Sequence, residues 1–212
     1  MMFKLKEEDD ELLYVSRTEG SETVIVTSNG YALRFNTEEI PVVGLKTSGV
    51  KSIKLDAKAY VTGAFVVSDS KEYVALFTDK NTAKRIKVDE IAKLTRAKKG
   101  TSIIKSPKSK TYNITRAFNT GSKSIFGVLD GEVGYMKASD VVISDKLSTG
   151  SSFTKKNYEE VFVVSKLVDI TKETISAVKE EENIEKEEVV EKKETKTEKQ
   201  LTMSDFFEEF KI

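Results

Sequence analysis

The chain contains no histidine and no cysteine among its 212 residues. It therefore lacks the commonest general base of enzymes, the usual zinc ligands and the cysteine nucleophile, and it cannot form a disulfide bond. A phosphate-binding loop of the type Gly-x-x-x-x-Gly-Lys-Ser/Thr is also missing, because Gly121-Ser122-Lys123-Ser124 does not have its spacing. These absences argue against an enzyme that works alone, and we expect no catalytic residue, no cofactor and no metal site.

Long apolar segments are absent as well. No hydrophobic run approaches membrane-spanning length, and the start of the sequence, Met1-Met2-Phe3-Lys4, lacks the apolar region of a signal peptide. We therefore expect no membrane partner and a cytoplasmic location. The acidic cluster at residues 7–11 offers carboxylates for a divalent cation, but it has neither alternating ligand spacing nor a glycine turn. A solvated turn is the favoured interpretation.

Charge is segregated along the chain, although the formal net charge is zero. Residues 1–167 carry 27 Lys and Arg against 21 Asp and Glu, whereas residues 168–212 carry 8 against 14. The basic excess is concentrated in residues 80–123, with 13 basic and 2 acidic side chains. Such a band can follow a phosphate backbone, and the scarcity of aromatic residues favours a duplex over unpaired bases. The solvated face of a lysine-rich protein has the same composition, so both interpretations stay open.

A repeat with a period of 51 residues is the main internal pattern. Each copy has an apolar run, a turn, a short second strand, a Glu-Ile pair or its equivalent, and a segment that begins with glycine. The matching segments lie at 27–35, 39–40 and 48–54, at 78–86, 90–91 and 99–105, and, in a degenerate form, at 129–136, 141–142 and 150–151. A fixed period of this size indicates stacked or radial repeat units.

The local signals within each copy predict β-hairpins. Asn29-Gly30 and Asp130-Gly131 are strong two-residue turn signals, because both central residues of a type I′ turn need a positive φ. We expect Gly30 and Asn81 in hairpin turns at corresponding places. Short strands with turn signals every eight to twelve residues are typical of propellers and barrels. The predicted fold is all-β, with about three β-pinwheel or propeller-like blades followed by a disordered acidic tail.

The repeat predicts the domain boundaries. The strand Val61–Val67 is expected to open the second blade, and residues 168–199 are too polar to repay the entropy cost of ordering. The predicted segments are blade 1 at 1–55, blade 2 at 56–106, a degenerate blade 3 at 107–167, a flexible charged linker at 168–199 and an amphipathic peptide at 200–212.

The C-terminal peptide resembles the short motif by which replication proteins dock on sliding clamps. Its spacing is Gln-x-x-Met-x-x-Phe-Phe, which would place three apolar side chains on one face of a single helical turn. A sliding clamp is therefore a candidate partner, through Gln200, Met203, Phe206 and Phe207. Alternatively, the phenylalanines fold back to cover an open edge of the blades.

The blade motifs resemble the C-terminal domain of type IIA DNA topoisomerase A subunits, the family of bacterial gyrase and topoisomerase IV. The similar segments are Thr27-x-x-Gly30-Tyr31-Ala32-Leu33-Arg34 and Gly49-Val50-Lys51-Ser52-Ile53-Lys54-Leu55. The resemblance implies a β-pinwheel with a basic rim that binds and bends duplex DNA, while cleavage is carried out elsewhere. It therefore implies two partners, double-stranded DNA and the remaining topoisomerase domains or subunits, and a nucleoid-associated location.

The chain departs from the family pattern in ways that distinguish the two branches of the family. No tyrosine follows an arginine, as the catalytic tyrosine of the family does, and no Gln-Arg-Arg-Gly-Gly box is present, so the topoisomerase IV side is favoured over gyrase. Met136 stands where the repeat places an arginine. From the resemblance and the basic band, the candidate DNA-binding residues are Lys46, Lys51, Lys54, Lys84, Arg85, Arg96, Lys98, Lys99, Lys105, Lys108 and Lys110. The alternative function is a propeller-type scaffold for protein interactions, tethered to the clamp through the C-terminal peptide.

Overall fold

A computed structural model of the chain describes residues 10–16, 21–44, 47, 49–68, 72–105, 111–121 and 123–164. Eleven strands and three single-turn 3-10 helices lie within these residues. The strands are β1 Glu22–Thr27, β2 Tyr31–Asn36, β3 Val61–Val67, β4 Tyr73–Thr78, β5 Thr82–Lys87, β6 Thr101–Ser102, β7 Ile114–Thr120, β8 Ile125–Leu129, β9 Val133–Lys137, β10 Ser151–Ser152 and β11 Glu160–Val164. The 3-10 helices are Thr37–Glu39, Val88–Glu90 and Ala138–Asp140.

The repeat encodes three antiparallel hairpins, β1–β2, β4–β5 and β8–β9, each followed by a 3-10 helix. The prediction for Gly30 and Asn81 is confirmed, because they occupy the first two turns with φ of 82° and 58°. The Gly30 amide donates to the Thr27 carbonyl at 3.0 Å, and the Asn81 amide donates to the Thr78 carbonyl at 3.2 Å. The matching turns show that the 51-residue offset aligns structure as well as sequence.

The hairpins belong to three sheets, and strands are exchanged between repeats. Sheet 1 has the order β3-β1-β2-β6, sheet 2 has β10-β5-β4-β7, and sheet 3 has β11-β8-β9. The expectation that Val61–Val67 opens the second blade is corrected, since this strand pairs with β1 in sheet 1. Likewise β6 lies in the second repeat by sequence but pairs with β2 of the first. The boundaries at 55 and 106 therefore separate sequence repeats, whereas sheets 1 and 2 combine strands from successive repeats.

The hydrophobic core lies between neighbouring sheets. One cluster joins sheets 1 and 2, with Val24 and Leu76 among its fully buried members. A second cluster joins sheets 2 and 3 around Phe77, whose ring contacts Phe126 edge to face at 5.1 Å between centroids. The central strands are covered on both faces, which explains why β1 and β4 read as continuous apolar runs. The all-β, propeller-like prediction is confirmed. None of the described helices is long and apolar enough to cross a membrane.

Candidate nucleic-acid interface

Three exposed lysines gather where the end of the first repeat meets a loop of the second. The Lys54 amide donates to the Lys98 carbonyl at 3.0 Å, and the Ala97 amide donates to the Ser52 carbonyl at 2.9 Å. These backbone hydrogen bonds bring Lys51, Lys54 and Lys98 side by side, and all three are exposed. The structure therefore brings together three of the predicted DNA-binding residues.

The same position is occupied by a lysine in every repeat, and we call Lys54, Lys105 and Lys155 the lysine row. All three are exposed. Each lies five residues after a glycine of positive φ, at 79°, 87° and 80° for Gly49, Gly100 and Gly150. Lys155 is not among the predicted DNA-binding residues, although counting five residues from Gly150, as from Gly49 and Gly100, identifies it.

The segments before Lys105 and Lys155 each contain the same type of side-chain hydrogen bond. The Ser102 hydroxyl donates to the Ile104 carbonyl at 3.0 Å, and the Ser152 hydroxyl donates to the Thr154 carbonyl at 3.1 Å. The local structure before Lys105 is thus repeated before Lys155. The second and third repeats therefore present this ammonium group from the same backbone arrangement.

Lys99 is exposed in part but already engaged. Its Nζ lies 2.7 Å from Asp56 Oδ2 and 4.1 Å from the centre of the Tyr31 ring. The hydrogen bond with Asp56 is the main reason that the pKa of Lys99 is raised, and the same bond lowers the pKa of Asp56. A phosphate that binds Lys99 must compete with this carboxylate.

Arg96 has a structural role. Its Nε donates to the Glu39 carbonyl at 2.9 Å, and Nη1 donates to the Lys51 carbonyl. Its backbone amide also donates to Glu39 Oε2 at 2.7 Å. The guanidinium group connects two chain segments, and these internal hydrogen bonds occupy donors that a phosphate would need.

Lys84 and Arg85 are buried, which corrects their assignment to a DNA-binding rim. Only 1% of Lys84 is exposed, and its Nζ donates to three backbone carbonyls, those of Asp145, Lys146 and Ser148, at 3.1, 2.7 and 2.7 Å. Arg85 Nε donates to the Val141 carbonyl at 2.8 Å. Sequence could not reveal this, because β5 has buried residues on both faces.

Further basic side chains of residues 80–123 form ion pairs within the domain. Lys93 Nζ lies 2.7 Å from Glu22, Lys80 lies 3.3 Å from Asp79, and Arg116 contacts Glu160 at 3.4 Å. These side chains are partly neutralised within the domain. The exposed cations among the predicted residues that the structure leaves for a polyanion are Lys51, Lys54, Lys98 and Lys105.

Several predicted residues lie outside the described residues. They include three of the DNA-binding candidates, the linker at 168–199 and the whole clamp-binding motif: Lys46, Lys108, Lys110, Gln200, Met203, Phe206 and Phe207. Within the described part of the chain, no group of three or more Asp and Glu side chains is placed to hold a metal ion.

Comparison with known proteins agrees with this architecture. The family model described as DNA gyrase C-terminal domain, beta-propeller, matches residues 21–68 and 72–111. The A subunit of DNA topoisomerase 4 from Streptococcus pneumoniae is 35% identical over 124 residues, which cover 58% of this chain and 15% of that protein. The corresponding protein of Bacillus subtilis is 29% identical over 148 residues, or 68% of this chain and 18% of that protein.

A solved structure gives the same result. The crystal structure of the C-terminal domain of DNA topoisomerase IV superposes with a TM-score of 0.65 and 26% identity, covering 76% of this chain and 52% of that one. The chain thus spans less than a fifth of the topoisomerase proteins it matches and about half of the solved domain. Over residues 21–68 and 72–111 the chain is thus similar to the β-propeller C-terminal domain of gyrase, and the relatives and the solved structure named here are topoisomerase IV A subunits and a C-terminal domain of topoisomerase IV.

Proposed function

We propose that this domain binds duplex DNA through the phosphate backbone and bends it, without taking part in the chemistry of strand cleavage. It serves the remaining domains or subunits of a type IIA topoisomerase, which carry the cleavage residues, and it acts on the nucleoid in the cytoplasm. The observation that carries the proposal is the lysine row, one exposed ammonium group per repeat at a corresponding position.

The row has the chemistry of a backbone-reading surface. Lysine is a flexible point charge that neutralises a phosphate and releases its condensed counterion, without recognising a base. Lys51 and Lys98 flank Lys54 and make its end of the row the most strongly basic. We therefore expect affinity that depends steeply on salt and little on sequence.

Bending follows from attachment at several points. A duplex that contacts Lys54, Lys105 and Lys155 together must follow the arrangement of the three repeats. Smooth bending of a short site costs about 1–6 kcal/mol, which additional phosphate contacts can offset. Bent DNA is thus stabilised only when the row is engaged as a whole.

The decisive measurement is a salt titration of binding to linear duplex DNA, with curvature followed by energy transfer between the DNA ends. The double variant Lys54→Glu/Lys105→Glu should weaken binding by about 30-fold at moderate salt, since each reversal replaces a phosphate contact by repulsion. The slope of log K against log salt should become shallower by about two.

The matched control reverses two exposed lysines at the opposite end of the sheets, Lys87 and Lys123. Lys87 pairs with Tyr73 at the end of β4 remote from the hairpin turn, and Lys123 follows the end of β7 on the same side. Lys87→Glu/Lys123→Glu should change affinity by less than about threefold. An equal loss in both double variants would contradict binding through the row. Salt-independent or absent DNA binding would instead favour the scaffold function.

A further inference from the structure

Two of the three sheets are completed by a short strand from the following repeat. Thr101–Ser102 pairs with β2, and Ser151–Ser152 pairs with β5. The next backbone amide closes each contact in the same way, from Ile103 to the Gly30 carbonyl at 2.9 Å and from Phe153 to the Asn81 carbonyl at 3.1 Å. We call the incoming segment the donor and the receiving strand the acceptor.

The first repeat contains a donor that has no acceptor among the described residues. Gly100 and Gly150, which begin the two engaged donors, lie so close to the acceptor that an added Cβ would be 2.2 and 2.6 Å from the carbonyl oxygens of Ala32 and Ala83. Gly49 has the same left-handed backbone, with φ of 79°, but no atom of the described residues lies within 4 Å of its Cβ position. Gly49 therefore has the backbone conformation that begins an engaged donor, without the contact to an acceptor strand.

The third repeat contains an acceptor that has no donor in the described part of the chain. Among the residues that the structure describes, β9 pairs with β8 alone. Val133 and Tyr135 on this strand are 48% and 59% exposed, whereas the corresponding central strand β5 is buried. An open strand edge with exposed apolar side chains is a ready template for pairing.

Charge distinguishes the unpaired ends from the internal contacts. The unpaired donor carries Lys51 where the engaged donors carry Ser102 and Ser152. The hairpin turn beside β9 carries Asp130 and Glu132, whereas the turn beside β2 is neutral and the turn beside β5 has one charge of each sign. A basic donor and an acidic acceptor are thus complementary to each other.

We propose that segment 49–53 of one molecule adds to β9 of a second molecule, and that two molecules close head to tail. By the register of the internal contacts, Val50 lies opposite Gly134 and Lys51 lies opposite Val133, beside Glu132. Two contacts of this kind unite the six sheets of two molecules, a blade number common in propellers. The contact forms without DNA and does not depend on the proposed function.

The test is the mass of the full chain in solution without DNA, by analytical ultracentrifugation. At about 0.1 mM, where even weak association is populated, we expect twice the chain mass of 23.7 kDa. Lys51→Glu and Glu132→Lys should each weaken the dimer by about 25-fold, because each of two contacts loses about fivefold. Lys123→Glu, an equal charge change at an exposed turn, should leave it unchanged.

Mixing the two single variants sharpens the test. Each variant alone brings like charges together at both contacts. In the mixed pair, positions 51 and 132 carry exchanged but still opposite charges at one contact, and the original charges meet at the other. The mixture should therefore dimerise as strongly as the unmodified chain. A monomer at about 0.1 mM, or a dimer that ignores both reversals, would overturn the proposal, as would a mixture that stays monomeric.

Discussion

The loops that follow the second and third 3-10 helices each pack against the previous repeat. Their backbones are arranged alike, but different side chains hold them in place. In the first, the Leu94 amide donates to the Arg34 carbonyl at 2.8 Å; in the second, the Ser144 amide donates to the Arg85 carbonyl at 3.0 Å. In both, a glutamate in the 3-10 helix of the previous repeat accepts a hydrogen bond from a loop amide: Glu39 accepts from Arg96, and Glu90 accepts from Lys146. The backbone arrangement is therefore the same.

In each contact a cationic side chain donates hydrogen bonds to further backbone carbonyls. This side chain belongs to the loop in the first contact and to the strand in the second. At the first loop, Arg96 reaches from the loop to the carbonyls of Glu39 and Lys51. At the second, Lys84 reaches from strand β5 into the loop, whereas the first repeat has the buried Leu33 at that position. In both places a cationic side chain donates hydrogen bonds to backbone carbonyls of the neighbouring repeat, and this side chain comes from the loop in one case and from the strand in the other.

The difference has an electrostatic consequence. Arg96 is only half-buried, but the Lys84 ammonium group is enclosed. Burial lowers the pKa of Lys84 from its ordinary 10.5 to about 8, although Asp145 and Glu90 oppose the shift. The second loop is thus the contact whose stability depends more on a single side chain and on pH.

The largest difference between the two loops should appear when the buried lysine is removed. Lys84→Ala should lower the free energy of unfolding by about 3 kcal/mol, because three carbonyls lose their donor and a cavity forms. Urea unfolding followed by circular dichroism measures the loss. Lys87→Ala, on the exposed end of the same strand, should stay within about 0.5 kcal/mol of the unmodified chain. Similar losses for both would show that the three hydrogen bonds contribute little.

Removing the arginine should have a smaller effect. Arg96→Ala is expected to cost about 1.5 kcal/mol in the same experiment, since the two carbonyls it satisfies are nearer to water. Arg96→Lys should recover little of this, because a single ammonium group does not reproduce the fork of the guanidinium group. A loss equal to that of Lys84→Ala would mean that both loops are held equally tightly.

The third expected effect is a dependence of stability on pH through Lys84. Between about pH 8 and 10.5 the unfolded chain binds more protons at Lys84 than the folded chain does, so this residue makes stability rise with pH in that window. As the pH falls from 10.5 to 8, this gain in stability is lost. The measurement is the difference in unfolding free energy between the unmodified chain and Lys84→Leu at pH 7 and pH 10. A difference that does not grow toward pH 10 would contradict a lowered pKa.

Much of the fold could be predicted because its signals are local. Asn29-Gly30 and the 51-residue period identified hairpins and repeats, since turn residues must satisfy their own φ and ψ wherever they lie. Strand partners could not be predicted in the same way. Val61–Val67 reads as an apolar strand whether it pairs within its own repeat or with β1 of the preceding one.

The candidate site shows the same division. The basic band was visible in the sequence, and the spacing of five residues after the repeated glycine identifies Lys155. Which lysines face solvent was not visible, because Lys84 and Lys105 differ only in what the rest of the chain packs around them.

By itself, the sequence determined the repeat, the hairpins, the family resemblance and the segregation of charge, which depend on residue types and their spacing along the chain. Only the tertiary structure decided that strands are exchanged between repeats, that Lys84 and Arg85 are buried, and that the described residues leave one donor and one acceptor unpaired. The physical reason is that burial and strand pairing are set by contacts between residues distant in sequence, which no local pattern encodes.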